Sequence, residues 1–307
     1  MNLIHRINEN NQLLNINQII LHNKKTFLKK IVNVYQINYK NSESMGIGDY
    51  LRGCFCLFQI CKLIGIEFDM DLSNHPISKY IYCDDNYEEK INYDEICKYE
   101  DPNFIFENGI FKNNSNHFLI KFLNFLHSKN LENNYIFCNS FPILKIDDES
   151  KEFIKSKIKP KEEILIKLDY VIKNLKLIKG NYGIIHIRFG DEYLFDNNKS
   201  ININKINRLL SIIKKNIHPK KKYLLISDNN NIKFLLTKYF SNIVFKVNKI
   251  SHLAYTNDED SILETLVDFF LITHSNYVLS FSPYPWGTGF SKWPSIIFNI
   301  PYYNFKL

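Results

Sequence analysis

Short apolar runs alternate with amphipathic segments along the second half of the chain. Runs rich in Ile, Leu and Val predict strands, and segments whose apolar residues recur three or four positions apart predict helices. The predicted strands span 182–188, 223–227, 242–247 and 277–281, the helices span 202–215, 232–240 and 258–274, a further helix ends at Phe298, and 302–305 is extended. Strands that alternate with helices indicate a parallel sheet covered on both faces. We therefore predict an α/β fold with a parallel sheet in this half.

The first half is patterned more weakly. It predicts strands at 31–37, 67–71 and 135–138 and helices at 50–64 and 117–127, whereas residues 74–111 show no clear periodicity. A charged stretch at 147–163 leads into a helix that ends near Gly180. We place a domain boundary close to the end of that helix, which divides the chain into residues 1–175 and 176–307.

Polar residues follow three of the strands predicted in the second half. They are residues 186–191, Asp228, and the run Ser280-Phe281-Ser282. The carboxyl ends of parallel strands meet at one edge of a sheet, and α/β proteins bind ligands outside that edge. These residues are therefore predicted to converge on a single site.

Arg188 is the most informative of these residues. The chain has only four arginines, Arg6, Arg52, Arg188 and Arg208, among its 39 basic residues. A guanidinium offers paired donors that match two phosphate oxygens, whereas an ammonium is a hydrated point charge. Arg188 therefore indicates a phosphorylated or nucleotide-linked substrate, with a structural salt bridge to Asp191 or Glu264 as the alternative.

The other candidates each have a structural alternative. His186 either contacts a ligand or is a core histidine bonded to the backbone. Asp228 either accepts hydrogen bonds from a nucleobase or caps the next helix. Ser280 and Ser282 either bind phosphate at a helix amino terminus or act as helix caps.

The segment Gly46-Ile47-Gly48-Asp49 precedes the first predicted helix. Its glycines would let the backbone approach an anion at the helix amino terminus, with Arg52 facing the same anion. The alternative is a tight turn between a strand and a helix.

Charge and cysteine usage exclude several classes of protein. The net charge of +7 comes from scattered lysines without any nucleic-acid-binding signature, so no nucleic-acid partner is expected, and a basic surface suits an anionic donor molecule equally well. The six cysteines form no C-x-x-C pair, and Cys54 and Cys61 are predicted to be buried free thiols. No uncharged apolar run is long enough to span a bilayer, so a cytoplasmic protein is expected.

Four segments together resemble the fucosyltransferase superfamily, especially its α1,6-, α1,2- and protein-O-fucosyltransferase branches. The segment from His186 to Asp191 is similar to the motif His-x-Arg-x-Gly/Thr-Asp, and Ser227-Asp228-Asn229 is similar to Ser/Thr-Asp-Asp. Asp268 followed by Ser280-Phe281-Ser282 resembles the third motif, and Gly46-Ile47-Gly48-Asp49 resembles the amino-terminal Gly-x-Gly-Asn/Asp loop. The order and spacing of the four segments carry the resemblance.

The resemblance implies a GT-B-like fold of two Rossmann-like domains, with acceptor binding in 1–175 and nucleotide-sugar binding in 176–307. It also implies inverting, metal-independent transfer of fucose from GDP-fucose to a glycan or a glycosylated acceptor. Arg188 would then hold the diphosphate, with Ser280, Phe281 and Ser282 around the β-phosphate. His186 and Asp228 would contact guanine or ribose, and the loop from Gly46 to Asp49 would close over the phosphates.

An inverting transfer needs a base near the acceptor hydroxyl. Asp191, Glu192 and Asp196 follow the arginine, and the spacing in the α1,6 branch points to Asp196. The Asp-x-Asp segment Asp69-Met70-Asp71 is interpreted as the end of a strand, so no metal site is expected. Two alternatives stay open, because a fold does not determine chemistry: a transferase that uses another nucleotide sugar, and a non-catalytic protein that binds a nucleotide or a glycan.

Overall fold

The computed structural model describes residues 30–35, 45–82, 97–99, 104–107, 110–113, 115–128, 133–190, 202–249, 251–254 and 256–307. These residues form two compact units. The first contains 30–35, 49–74 and the described residues between 97 and 157, and the second contains 45–48, 75–82 and the described residues from 158 onward. Residues 158–175 thus belong to the second unit, and the assignment of acceptor and nucleotide binding to separate domains stays a prediction.

The first unit is built on a parallel sheet of four strands in the order β2-β1-β6-β3. Its strands are β1 (Lys30–Val34), β2 (Glu67–Asp71), β3 (Cys97–Tyr99) and β6 (Asn133–Cys138), and β4 (Phe104–Glu107) pairs separately with β5 (Ile110–Asn113). Its helices are α1 (Ile47–Ile64), which starts in the second unit, α2 (Ser115–Ser128) and α3 (Asp148–Lys157).

Helices α1 and α2 pack on this sheet through a shared apolar core. Phe118 and Phe122 lie one turn apart on α2 and stack with ring centroids 5.8 Å apart. They pack with Leu57 and Ile60 of α1 against the sheet residue Ile136. The predicted burial of the free thiols of Cys54 and Cys61 is confirmed.

The second unit is built on a parallel sheet of five strands in the order β11-β10-β7-β8-β9. Its strands are β7 (Tyr182–Ile187), β8 (Lys222–Ser227), β9 (Ile243–Val244), β10 (Tyr277–Ser282) and β11 (Tyr302–Lys306). Its helices are α4 (Glu162–Asn174), α5 (Ile203–Asn216), α6 (Asn230–Tyr239), α7 (Glu259–Thr273) and α8 (Gly289–Ile297), with a 3-10 helix at Pro76–Lys79.

The central strand β7 is buried along its whole length, as expected for a parallel sheet covered on both faces. On one face, Ile185 and Ile187 pack against Leu209 and Ile213 of α5 and against α6. Because side chains alternate along a strand, His186 projects from the opposite face, where it contacts α8. The predicted α/β class with a parallel sheet in the second half is confirmed.

Several elements differ from their predicted bounds, and two of these differences change the placement of polar residues. Helix α1 begins at Ile47 rather than at residue 50, so Gly48 and Asp49 lie in its first turn and not in a loop. Strand β9 is much shorter than the predicted 242–247, since Lys246 and Asn248 leave the sheet to bind polar side chains of α7. In the described part of the chain, no helix is both long enough and apolar enough to cross a bilayer.

Candidate active site

The candidate site begins where the central strand β7 ends. The backbone N–H of Arg188 donates to the carbonyl of Phe281 on β10 at 2.9 Å, which extends the sheet pairing by one residue. The Arg188 side chain is 18% exposed. A partly exposed guanidinium thus lies at the carboxyl edge of the sheet, where the sequence predicted it.

Asp228 shapes the turn that carries Arg188. Its two carboxylate oxygens accept from the N–H of Phe189 at 3.0 and 3.1 Å, and one of them accepts from Gly190 at 3.3 Å. Gly190 has φ 127°, a conformation that favours glycine. The strand ends of β7 and β8 are therefore joined by one carboxylate.

The Arg188 guanidinium forms a looser ion pair with the same carboxylate. Its Nη1 lies 3.6 Å from Oδ2 of Asp228, which is beyond direct hydrogen-bond distance. Burial raises the pKa of Asp228, while the Arg188 charge and the N–H groups of Phe189 and Gly190 act in the opposite direction. The Arg188 charge and the N–H groups of Phe189 and Gly190 thus favour the ionised form of Asp228.

The structure decides between alternatives for these residues. The ion pair of Arg188 is with Asp228 and not with Glu264, which is bound by Lys167 and Lys246. Asp191, the other partner offered for Arg188, lies outside the described residues. Asp228 does not cap α6, because Asn229 accepts from the N–H of Ile232 at 3.2 Å and fills that role. A cap and its neighbour in sequence are hard to distinguish when both are Asp or Asn.

His186 is buried and neutral. Its Nδ1 lies 2.7 Å from Oγ of Ser291 and 3.2 Å from Oγ1 of Thr288, at the amino end of α8. Burial, aided by the charges of Arg188 and Lys233, lowers its pKa to about 3. Among the described residues, the hydrogen-bond partners of His186 are thus hydroxyl groups rather than the backbone group that the sequence offered as the alternative.

The side chains of Ser280-Phe281-Ser282 point into the protein. Ser282 donates from Oγ to the carbonyl of Tyr284 at 3.2 Å. Phe281 projects from the other face of the sheet, where it packs in the same apolar core as Ile185 and Ile187. Ser280 Oγ is buried without a normal hydrogen bond among the described residues, next to the Tyr302 hydroxyl. Neither serine caps α8, whose cap position is Thr288.

Gly48 brings the first turn of α1 against the first turn of α8, and both Gly48 and Gly289 belong to the second unit. A Cβ atom on Gly48 would lie 2.3 Å from the carbonyl carbon of Gly289. Only glycine permits this approach. The first turn of a helix carries unpaired N–H groups and a partial positive charge. The contact between Gly48 and Gly289 therefore places two groups of such N–H donors side by side. Gly46 lies just before α1 and is partly exposed.

In the first unit, Arg52 is bound by its own neighbours. Its Nε donates to the carbonyl of Asn139 at 2.5 Å, Nη1 lies 3.0 Å from Asp49, and the guanidinium stacks over Phe141. Asp49 is 42% exposed at its side chain.

The predicted bases Asp191, Glu192 and Asp196 lie outside the described residues. Asp69, from the Asp-x-Asp segment, forms ion pairs with Lys30 at 2.9 Å and Lys157 at 3.0 Å. The described residues contain no group of three or more metal-binding side chains.

Sequence reasoning missed a buried charged network beside the site. Lys233 of α6 is 1% exposed, and its Nζ lies 2.6 Å from Oδ1 of Asn248. Asn248 in turn donates to Asp268 at 3.1 Å, and Lys246 binds Asp268 and Glu264. The sequence feature that could have indicated this network is a lysine on the apolar face of α6, since the other buried residues of that helix are Ile232 and Leu236.

This chain matches several solved structures over most of its length. One is the α1,6-fucosyltransferase NodZ soaked with GDP-fucose, with a TM-score of 0.54 and 13% identity, covering 91% of this chain and 96% of that one. NodZ from Bradyrhizobium also matches, with a TM-score of 0.51 and 13% identity, covering 88% of this chain and 93% of that one. A variant of FUT1 from Arabidopsis thaliana in complex with GDP matches with a TM-score of 0.54 and 8% identity, covering 91% of this chain and 71% of that one.

The chain has the fold of these fucosyltransferases. At these identities the likeness is one of fold, and the expected GT-B-like class is confirmed by it. No family model matches the chain, and no curated protein matches its sequence.

Proposed function

We propose that this chain is a glycosyltransferase that transfers fucose from GDP-fucose to a glycan or a glycosylated acceptor. The observation that carries the proposal is the Arg188 turn, a partly exposed guanidinium at the carboxyl edge of the central strand, with its backbone bound by Asp228. The fold supports the same conclusion, because the solved structures that it matches include a fucosyltransferase soaked with GDP-fucose and one co-crystallised with GDP.

The chemistry follows from the charge of the leaving group. As the bond between sugar and phosphate breaks, negative charge develops on the diphosphate, and donors already in position stabilise that transition state. Arg188 supplies paired donors for two phosphate oxygens. The N-terminal turns of α1 and α8, in contact at Gly48 and Gly289, add backbone N–H groups.

We further propose that transfer is inverting and does not require a divalent cation. In an inverting transfer a base removes the proton of the acceptor hydroxyl as that oxygen attacks the sugar carbon. Asp196 is our first candidate for this base, with Asp191 and Glu192 as the others, because all three follow Arg188 in sequence. Independence from metal is expected because the Arg188 guanidinium can stabilise the diphosphate charge itself.

We assign the buried side chains a supporting function. His186 and Asp228 are bound within the second unit, so we expect them to act on the nucleotide by holding α8 and the Arg188 turn in place. Ser280 and Ser282 are fully buried, which favours the same kind of function for them. In this view, backbone N–H groups and Arg188 provide the phosphate contacts.

Nucleotide binding tests the proposal directly. We expect isothermal titration calorimetry to detect GDP binding in preference to UDP, ADP and CDP, with equal affinity in magnesium and in EDTA. Arg188→Lys should weaken GDP binding about tenfold or more, roughly 1.4 kcal/mol, because an ammonium lacks the paired donors. Arg208→Lys is the matched control, an exposed arginine on α5 that should bind GDP normally.

Turnover is then tested by GDP release from GDP-fucose across an array of glycan acceptors. Acceptor-dependent release that is slowed in Asp196→Ala, with GDP affinity retained, supports transfer and the assignment of the base. A preference for UDP would contradict GDP-fucose as donor. GDP binding without any release would indicate a non-catalytic binding protein.

A further inference from the structure

Thr288 lies at the N-cap position of α8 but does not cap the helix. Its carbonyl accepts from the N–H of Lys292 at 3.0 Å, and its backbone is extended, with φ −101° and ψ 129°, as in a capping residue. A threonine hydroxyl in this position ordinarily accepts from an N–H two or three residues further along. Within the described α8 no such bond to the Thr288 side chain is formed, so the first turn lacks its own cap.

The hydroxyl group of Thr288 is bound instead by His186 of the central strand. Its Oγ1 lies 3.2 Å from Nδ1 of His186 and 3.4 Å from Oγ of Ser291. The Ser291 Oγ lies 2.7 Å from the same Nδ1, and all three residues are at most 5% exposed. Burial lowers the pKa of His186 to about 3, so the ring that binds both hydroxyl groups is neutral. His186 thus directs the Thr288 side chain toward the sheet rather than toward the N–H groups of α8.

The amino end of α8 is left with N–H groups that its own cap does not bind. Gly289 and Phe290 in the first turn are partly exposed. The N–H of Thr288 donates to the Tyr302 hydroxyl at 3.3 Å. The Ser280 Oγ, which is fully buried and has no hydrogen bond within the described part of the chain, lies next to that hydroxyl. Because uncapped N–H groups of a first turn bind anions, this end of the helix suits a phosphate group.

We propose that His186 is a positioning residue that withholds the capping hydroxyl of Thr288, so that the first-turn N–H groups of α8 stay open to a diphosphate. A cap and a bound phosphate need the same N–H groups, so a capping threonine would compete with the ligand. This function differs from holding α8 in place, because a released Thr288 would weaken phosphate binding even in a correctly folded helix. The identity of the anion rests on the proposed function, and the withheld cap does not.

The test releases the Thr288 hydroxyl and then removes it. His186→Leu removes the ring nitrogen that binds Thr288, so that the hydroxyl becomes free to cap α8. The double variant His186→Leu/Thr288→Val has no hydroxyl that could cap, and valine has the shape of threonine. Its matched control is His186→Leu/Thr237→Val, because the Thr237 hydroxyl donates within α6, to the carbonyl of Lys233 at 3.2 Å. His186→Asn keeps a polar group for Thr288.

Two measurements decide the proposal. They are the affinities for GDP and inorganic pyrophosphate by calorimetry, and the hydrogen exchange of the Phe290 and Ser291 amides by NMR. In His186→Leu we expect both ligands to bind about fivefold more weakly and one of the two amides to exchange about fivefold more slowly, which corresponds to one capping bond. The variant with Thr288→Val should recover both properties, the variant with Thr237→Val should not, and His186→Asn should resemble the wild type.

Equal affinities in His186→Leu and in its Thr288→Val double variant would overturn the proposal, since a purely structural His186 predicts that result. Slower amide exchange without weaker pyrophosphate binding would also overturn it, because a capped helix would then still bind the anion.

A second variant serves if His186→Leu does not fold. Thr288→Asn leaves His186 intact and introduces a strong N-cap residue. Slower exchange together with weaker binding in this variant supports the proposal, and unchanged binding contradicts it. If the wild type binds neither GDP nor pyrophosphate, the proposed function fails instead, and the exchange rates alone still show whether His186 withholds the cap.

Discussion

The carboxylate of Asp228 binds the backbone of the Arg188 turn more closely than it binds the Arg188 side chain. Its oxygens lie 3.0 and 3.1 Å from the N–H of Phe189, whereas the guanidinium is 3.6 Å away. Asp228 therefore orients the arginine through the main chain. Arg188 is held at the sheet edge without a direct hydrogen bond between the two side chains.

Asp228→Ala should reduce both stability and nucleotide affinity. It leaves two buried N–H groups without their acceptor, which costs about 1–3 kcal/mol for each such group. Asn229→Ala is the matched control, because it removes only the cap of α6 and costs about 1 kcal/mol. Urea unfolding should show a loss in both variants, and calorimetry should show weaker GDP binding only in Asp228→Ala. Equal GDP affinities of the two variants would show that Asp228 does not contribute to nucleotide binding.

Gly48→Ala should be far more damaging than Gly289→Ala, although both alter the same contact. A Cβ atom on Gly48 would lie 2.3 Å from backbone of Gly289, whereas one on Gly289 would lie 3.3 Å from Gly48. The first clash forces α1 and α8 apart, and the second needs only a small shift. We expect a loss of about 2 kcal/mol or more for Gly48→Ala, since overpacking costs of this order are common. Similar urea midpoints for the two variants would contradict the close approach.

Stability should decline as the pH falls below neutral, in part because of His75. Its Nδ1 accepts from the N–H of Ile77 and its Nε2 donates to the carbonyl of Leu253, so the ring is held neutral. Burial lowers its pKa from 6.5 to about 4. The unfolded chain therefore takes up a proton between these values while the folded chain does not, and stability is lost as pH falls through this range.

For His75 alone, this difference corresponds to about 2 kcal/mol between pH 7 and pH 5. His75→Asn keeps an acceptor for the N–H of Ile77 but cannot titrate, so its stability should fall less over the same interval. Urea unfolding at several pH values measures both slopes. Parallel slopes in the wild type and the variant would show that His75 does not contribute.

The four buried thiols, Cys54, Cys56, Cys61 and Cys138, should not react in the folded protein. All are at most 1% exposed, and burial raises the pKa of Cys54 and Cys61. In a chain with Cys83 and Cys97 replaced by serine, we expect no reaction with a thiol reagent before unfolding and complete reaction afterwards. Fast labelling in native buffer would contradict this packing.

The periodicity of apolar residues was enough to predict most elements of the fold. It predicted strand β2 at 67–71 with its observed bounds, and it predicted α7 with Asp258 at its start, where that side chain now caps the helix. It also predicted that the ends of β7, β8 and β10 lie together, and these strands are adjacent in the sheet. These properties follow from which face of each segment must be buried, and that information is local in sequence.

Only the tertiary structure decided which groups the polar side chains contact. The carboxylate of Asp228 binds the end of a neighbouring strand, His186 binds hydroxyl groups of α8, and Lys233 carries a charge on a buried helix face. Each partner is distant in sequence and is set by strand order and helix packing. A local pattern specifies that a polar group is buried, but its partner depends on which segments the fold brings alongside it.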